Sequence, residues 1–185
     1  MKIPLSLTER ATAQAAPLVF AEVYAEHAAF VWRSLRRMGV READLDDVCQ
    51  DTFMIVHRRL DSYDGSSSVK TWLFGIAMRR ASQYRRRAHV RHETLSRPLP
   101  EVPASGAQAE LLEQKRARLL LDQALDTLDE EKRAVFVLYE LEQLPMPEVA
   151  RAVGCPVQTA YSRLHAARKK VETVVLRSRL TENVR

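Results

Sequence analysis

The chain has 185 residues, 46% of them hydrophobic, which suffices for one ordinary domain or two small ones and excludes disorder throughout. Its two cysteines, Cys49 and Cys155, lie far apart and outside any CxxC pair, so neither a disulfide framework nor a zinc ribbon is indicated. The formal net charge of +5 is modest, and its uneven distribution says more about partners than the total does.

The N-terminal residues do not resemble a signal peptide, because Glu9, Arg10 and Pro17 interrupt any apolar stretch there. Nowhere do about 18 consecutive apolar residues occur, so no membrane-spanning helix is predicted. With cysteines typical of a reducing compartment, these features predict a cytoplasmic protein without a membrane partner.

Two neighbouring segments carry opposite charge. From Val40 to Asp64 there are seven acidic residues and three basic ones, a net charge of −4. From Val69 to His92 there are seven basic residues and no acidic one. An acidic surface beside a basic one predicts two different partners, and the basic surface suits a phosphate backbone.

In chain order, the apolar periodicity predicts only helices, with no convincing strand. After a loose tail at residues 1–17, a first helix is predicted over residues 18–38 and ends before Gly39. A second is predicted over residues 42–60, and a third over residues 69–90 after the turn-rich loop of residues 61–68. The inward positions predicted for the first helix are Phe20, Val23, Tyr24, Phe30, Val31, Leu35 and Met38.

Proline and glycine interrupt the pattern at residues 93–109, which predicts a flexible linker between two domains. Beyond it, helices are predicted over residues 110–127, 129–141, 146–153 and 156–176, followed by a short tail at residues 179–185. The predicted fold is therefore all-α: a three- to four-helix bundle at residues 18–92 and a second helical domain at residues 110–178.

The second domain contains a helix-turn-helix pattern. Gly154 suits a left-handed turn, and Pro156 suits the first position of the following helix because its missing N–H would have no partner there. An inward stripe is predicted at Val157, Ala160, Leu164, Ala167 and Val171. Short polar side chains are left on the outer face with cations beside them, as is typical of a helix in a DNA major groove. An amphipathic helix with a solvated basic face is the alternative.

The third helix interleaves Trp72, Phe74 and Tyr84 with arginines, a combination suited to unpaired bases and their phosphates. The alternative interpretation is structural: Trp72 also fits the spacing of a core stripe, and the arginines can form a solvated face. The second helix carries an acidic, hydrogen-bonding strip that can dock on a basic partner helix, although such strips are often simply solvated.

The segments DLDDVCQDTF, DGSSSVKTWLFGIA and CPVQTAYSRLHAARKK, with the basic helix and the proline-rich linker between them, together resemble extracytoplasmic-function (ECF) sigma factors of the sigma-70 family. The resemblance extends from about Leu18 to Val171. It implies a sigma region 2 domain at residues 18–92 and a sigma region 4 domain at residues 110–178. The implied function is to bind core RNA polymerase and direct initiation at promoters with −10 and −35 elements.

The same resemblance implies three sets of site residues. The polymerase-binding set comprises Asp47, Gln50, Asp51, Thr52 and Phe53. The −10 set, which melts and captures the opened strand, comprises Tyr63, Ser66, Ser67, Lys70, Trp72, Arg79, Arg80, Gln83, Arg86 and Arg87. The −35 set, which binds duplex DNA, comprises Gln158, Thr159, Tyr161, Ser162, Arg163, His165, Arg168 and Lys169.

The partners implied by the resemblance are promoter DNA, the clamp helices and flap of the two largest polymerase subunits, and an anti-sigma factor. We predict no enzymatic activity, cofactor or metal, because the sequence has no phosphate-binding glycine loop and no histidine at metal-ligand spacing. Two other functions stay open on the residues alone: a stand-alone helix-turn-helix transcriptional regulator, and a helical protein-interaction adaptor.

Overall fold

The structure is a computed structural model that describes residues 18–90 and 106–182. Within those ranges the chain is helical and contains no strand, which confirms the predicted all-α class. The helices are α1 (Phe20–Arg37), α2 (Leu45–Arg59), α3 (Val69–Val90), α4 (Gly106–Asp126), α5 (Glu130–Phe136), α6 (Met146–Val153) and α7 (Val157–Glu182). Single 3₁₀ turns at Glu42–Asp44 and Leu60–Ser62 flank α2, and a wider π turn at Val137–Leu141 extends α5.

Helices α1, α2 and α3 pack into the first bundle. Val31, Leu35, Val56 and Phe74 have no exposed surface and form its centre. Tyr24, which the periodicity places inside, is instead half exposed. It lies at the edge of the α1 stripe, where its ring packs on Phe53 from outside the core.

Gly39 ends α1 as predicted. Its φ of +92° is a left-handed conformation that glycine adopts without steric cost. The N–H of Val40 donates to the carbonyl of Leu35 at 3.1 Å, and that of Gly39 donates to Arg36 at 3.0 Å. These two hydrogen bonds form a Schellman motif, which satisfies carbonyls at the end of the helix and turns the chain toward α2.

The second bundle comprises α4 to α7. Asp129 caps α5 by accepting a hydrogen bond from the N–H of Lys132 at 2.9 Å. Gly154, with φ +69°, ends α6, and α7 begins one residue later than predicted, directly after Pro156. Ala160, Leu164 and Ala167 are buried as predicted, whereas Val157, which was also predicted to face inward, is 41% exposed.

Two segments that the sequence prediction places outside the domains are helical in the structure. Residues 106–109, assigned to the linker, form the first turn of α4, and residues 179–182, assigned to the tail, form the last turn of α7. Both segments continue a helix whose main-chain hydrogen bonds outweigh weak local signals. The predicted N-terminal tail, residues 91–105 of the linker region and the last three residues lie outside the described residues.

The two bundles pack against each other. Helix α3 of the first bundle crosses α6 of the second, and the buried residues of both belong to one contiguous apolar cluster. The crossing is close at Gly75, because a Cβ atom built there would lie 3.7 Å from the carbonyl oxygen of Ala152. The predicted −10 and −35 faces are thus held on one compact body in this structure.

Candidate polymerase-binding and nucleic-acid interfaces

The acidic strip of α2 presents Asp47, Gln50 and Asp51 to solvent. Thr52 and Phe53, which the resemblance assigns to the same polymerase-binding set, are buried beneath that strip and do not lie on the surface. Thr52 has no exposed area, and its hydroxyl donates to the carbonyl of Val48 at 2.7 Å. A helix stripe wide enough to contact both α1 and α3 takes these two positions inward.

An apolar groove of about 950 Å³ runs beside the strip, between α1 and α2. Tyr24 and Phe53 meet edge to face at 4.7 Å, and Phe20 and His57 do so at 4.9 Å. Met54 opens onto the groove with half of its surface exposed. Sequence reasoning missed the groove because it assigned the aromatic residues of α1 to the core. An exposed apolar surface rimmed by charge typically marks a protein-binding site.

The loop before α3 is held by its own side chains. Asp64 accepts a hydrogen bond from the N–H of Ser66 at 2.9 Å, and bonds from Ser66 lower the pKa of that carboxyl. The Tyr63 hydroxyl donates to the carbonyl of Ser67, and burial raises the pKa of Tyr63. Ser66 is exposed and Ser67 is half-buried, so the loop presents small hydroxyl groups on a fixed backbone.

The position of Trp72 is compatible with both predicted roles, core packing and stacking on an unpaired base. It packs against the apolar cluster, yet it stays partly accessible, with its ring 5.4 Å from that of Tyr63. Lys70, two residues before Trp72, is exposed, and its ammonium nitrogen lies 6.0 Å from the centroid of the Phe30 ring. The structure thus brings one aromatic pair and one cation to the start of α3.

Farther along α3, Arg79, Gln83, Arg86 and Arg87 are exposed. Arg80 is more enclosed: it forms an ion pair with Asp51 of α2 and donates to the side chain of Gln83 at 2.8 Å. A residue of the predicted −10 set is therefore joined to a residue of the predicted polymerase-binding set. The intervening sequence of 28 residues contains no signal for this contact.

The outer face of α7 is arranged as predicted, with Gln158, Tyr161, Ser162 and His165 exposed and Thr159 half-buried. Lys169 is also exposed. This face is polar and projects from the turn that follows α6, which is the geometry of a recognition helix.

Two arginines of α7 form ion pairs within their own domain. Arg163 pairs with Glu131 of α5 at 2.5 Å. Arg168 pairs with Glu140 at 2.6 Å and lies 5.7 Å from the ring of Tyr139. Both contacts orient cations beside the outer face and link α7 to the preceding helices.

Across residues 18–90 and 106–182 we find no group of three or more histidine, cysteine and acidic side chains that could hold a metal ion. Within these same ranges no helix combines the length and apolarity needed to cross a membrane.

The two bundles coincide with two family models. Residues 23–91 match the model "Sigma-70 region 2" and residues 118–171 match "Sigma-70, region 4". The fold and its two polar faces therefore have the organisation of a sigma-70 type initiation factor.

Relatives and solved structures agree. RNA polymerase sigma factor NccH of Alcaligenes xylosoxydans xylosoxydans is 31% identical, over 91% of this chain and 92% of the relative. ECF RNA polymerase sigma-E factor of Escherichia coli K12 is 30% identical, over 77% of this chain and 79% of the relative. CnrH in complex with the cytosolic domain of CnrY is 25% identical, with a TM-score of 0.62 over 89% of this chain and 92% of that one.

The sigma factor RpoE of Bartonella quintana, in complex with the anti-sigma factor NepR, has a TM-score of 0.64. The match covers 84% of this chain and 96% of the RpoE chain. At 21% sequence identity it shows that the two proteins share a fold. The chain belongs to the ECF RNA polymerase sigma factors. It is a promoter-directing factor, and these comparisons lend no support to a stand-alone regulator.

Proposed function

We propose that this protein binds core RNA polymerase through its first domain and places two DNA-binding faces on a promoter, one on each element. The observation that carries the proposal is the presence of both polar helix faces, on α3 and α7, in a chain that matches sigma regions 2 and 4. We assign the first domain to residues 18–92 and the second to residues 110–178. The protein acts on polymerase in the cytoplasm and has no catalytic step of its own.

The first domain captures the opened strand of the −10 element. The loop from Tyr63 to Ser67 offers hydroxyl and main-chain groups to an unstacked base, and Trp72 offers a ring face. Exposed cations then follow the phosphates along α3. They are Lys70, Arg79, Arg86 and Arg87, with Gln83 between them and Arg80 braced by Asp51.

The second domain reads the −35 element as a duplex. Gln158, Tyr161, Ser162 and His165 reach base edges in the major groove, while Thr159 lies at its margin. Arg163, Arg168 and Lys169 contact phosphates on either side. The ion pairs of Arg163 and Arg168 support this role, because a cation already oriented loses less side-chain entropy on binding.

Polymerase docks on the acidic strip. Asp47, Gln50 and Asp51 are exposed on one side of α2, and the apolar groove between α1 and α2 adjoins them. A basic helical partner, such as the clamp helices of the largest subunit, would find charge complementarity and an apolar anchor side by side. The second domain contacts the flap of the second-largest subunit.

An anti-sigma factor completes the set of proposed partners. The Bartonella RpoE was solved in complex with the anti-sigma factor NepR, and CnrH was solved in complex with the cytosolic domain of CnrY. The groove between α1 and α2 is an apolar surface large enough for a helical segment of an inhibitor, so inhibitor and polymerase would compete for it.

The test is reconstituted transcription. Adding the protein to core polymerase on genomic templates should produce start sites that core polymerase alone does not use. The Asp47→Arg variant should bind polymerase about threefold to tenfold more weakly, because it places a cation where the partner surface is basic. Asp61→Arg, an equal change at an exposed acid beyond α2, is the control and should bind normally.

Binding is measured by fluorescence titration of labelled protein with core polymerase, and folding by circular dichroism. Equal affinity for Asp47→Arg and Asp61→Arg would remove the docking assignment. The absence of any new start site would overturn the proposed function itself.

A further inference from the structure

Two residues of the first domain hold a third in place on the outer face of α3. Arg80 of α3 donates a hydrogen bond from Nη2 to a carboxylate oxygen of Asp51 on α2, and the two side chains form an ion pair. Its other terminal nitrogen, Nη1, donates to the side-chain oxygen of Gln83 at 2.8 Å. One guanidinium thus connects α2 to Gln83, and we call these three residues the Arg80 bridge.

The Arg80 bridge fixes the orientation of the Gln83 carboxamide. A guanidinium can only donate hydrogen bonds, so the atom of Gln83 that faces Arg80 is the oxygen, and the NH2 group lies on the side away from Arg80. Gln83 is exposed, so this NH2 group is accessible to a ligand on the outer face of α3. The carboxamide therefore offers hydrogen-bond donors to a ligand while its oxygen is already engaged.

Arg80 is enclosed enough to hold that orientation. Only 19% of its side chain is exposed, against 55% for that of Asp51. Its Nε is buried and has no hydrogen-bond partner among the described residues, so the guanidinium is held through its two terminal nitrogens. A side chain that packing already restricts loses less entropy on pairing, and its attraction to a carboxylate is screened less than at full exposure.

Gln83 differs in chemistry from its neighbours on this face of α3. Arg79 and Arg86, one turn before and one turn after it, are exposed cations. Each is steadied within the helix, Arg79 by the carbonyl of Gly75 at 3.0 Å and Arg86 by the hydroxyl of Ser82 at 3.2 Å. Cations bind phosphates in any sequence, whereas bases are distinguished by the donors and acceptors on their edges. On this face Gln83 is therefore the residue suited to distinguish bases.

We infer that Asp51 and Arg80 are positioning residues that make Gln83 a donor-only reader of the −10 element, selecting a base edge with adjacent acceptors such as O6 and N7 of guanine. A carboxamide that is free to turn pairs with adenine through both its oxygen and its N–H. With that oxygen held by Arg80, the amino group of adenine meets donors without an acceptor, whereas guanine presents two acceptors on the same edge. This inference rests on the proposed function, since it takes α3 as the strand-binding helix.

The experiment measures base preference during transcription by core polymerase with the full chain. A promoter found by start-site mapping is prepared as a library with all four bases at each position of its −10 element, and the transcripts are counted by sequencing a barcode. Gln83→Ala identifies the contacted position as the one where the ratio of guanine to adenine changes. Asp51→Ala and Arg80→Met break the Arg80 bridge and keep Gln83, whereas Asp51→Glu keeps a carboxylate.

Asp47→Ala is the matched control, because Asp51 also belongs to the proposed polymerase-docking strip. Both substitutions remove one exposed carboxylate from that strip, so both should lower the amount of transcript. Ratios between bases within one library do not depend on how much polymerase complex forms. Only Asp51→Ala should therefore change the base ratios, which a loss of docking alone would not do.

We expect the wild type to favour guanine over adenine about fivefold to tenfold at the contacted position. Asp51→Ala and Arg80→Met should reduce that ratio about threefold, and Asp51→Glu should retain it. The inference is overturned if Gln83→Ala changes no position, if the wild type favours adenine there, or if Asp51→Ala keeps the wild-type ratio. Each of these results leaves the proposed function intact, whereas a wild type that starts no transcript would reject the proposed function and this inference with it.

Discussion

His27 lies on the inner side of α1 with 5% of its surface exposed. Among the described residues its Nδ1 has no hydrogen-bond partner, and its Nε2 lies 3.7 Å from a carboxylate oxygen of Glu26. Burial lowers the pKa of His27 below its ordinary value, Glu26 opposes that shift and Lys70 adds to it. The folded chain therefore resists a proton that the unfolded chain accepts.

The free energy of unfolding should therefore decrease as the pH is lowered. Above the ordinary histidine pKa of about 6.5 both states hold His27 neutral, and below it only the unfolded state gains the proton, so the free energy of unfolding decreases. In urea titrations at about pH 7.5 and about pH 5.5, His27→Gln should lose less stability than the wild type. His165→Gln, on the exposed face of α7, should retain the wild-type loss. Identical losses in all three proteins would contradict this assignment.

Also at the residue scale, burial determines which residues of the predicted polymerase-binding set a partner protein can contact. Asp47, Gln50 and Asp51 are on the surface as the resemblance implies, but Thr52 and Phe53 are not. A motif specifies residue types along a helix, whereas the packing of α1 and α3 determines which of them face water.

At the scale of elements, α5 depends on its cap. Asp129 accepts the N–H of Lys132 and also forms an ion pair with its ammonium group. Burial alone would raise the pKa of Asp129, but these contacts with Lys132 lower it, so the cap is charged at neutral pH. The helix is short, with seven residues, so it has few internal hydrogen bonds to stabilise it.

Replacing that cap should be measurable. Asp129→Ala should lower the free energy of unfolding by about 1 kcal/mol, while Asp129→Ser, which keeps an acceptor, should lose less than half as much. Urea denaturation followed by circular dichroism gives both values. Equal losses in the two variants would mean that the hydrogen bond to Lys132 contributes nothing.

At the scale of the whole molecule, one glycine marks where the domains meet. A Cβ atom on Gly39 would lie 2.6 Å from a guanidinium nitrogen of Arg133, which is buried in the second domain. That guanidinium cannot move away easily, because it donates to the carbonyl of Leu125 at 2.8 and 2.6 Å and to Asp126 at 2.7 Å. Gly154 has a similar left-handed φ of +69°, but among the described residues no atom beyond its two chain neighbours lies within 4 Å of its Cβ position.

The two glycines therefore form a matched pair. Gly154→Ala should cost about 1 kcal/mol of stability from backbone strain alone. Gly39→Ala should cost more, about 2 kcal/mol or above, because the added methyl group also displaces Arg133. Thermal denaturation of both variants measures the difference, and equal shifts would show that the domains do not hold this contact in solution.

By itself the sequence determined the helices, their order, the glycine turns and the identity of the polar faces. These depend on periodicity and on contacts a few residues apart, as the Schellman motif at Gly39 and the cap at Asp129 illustrate. Helix α3 was predicted with its observed bounds, since turn formers before Ser68 leave little choice of start.

Only the tertiary structure decided which charged groups meet. Arg80 with Asp51, Arg163 with Glu131 and Arg37 with Glu142 join residues 29, 32 and 105 positions apart. A charged side chain on a helix surface has many possible partners of similar energy, and the packing of the helices selects among them. For the same reason, the groove between α1 and α2 and the packing of the two domains against each other could not be predicted from the sequence alone.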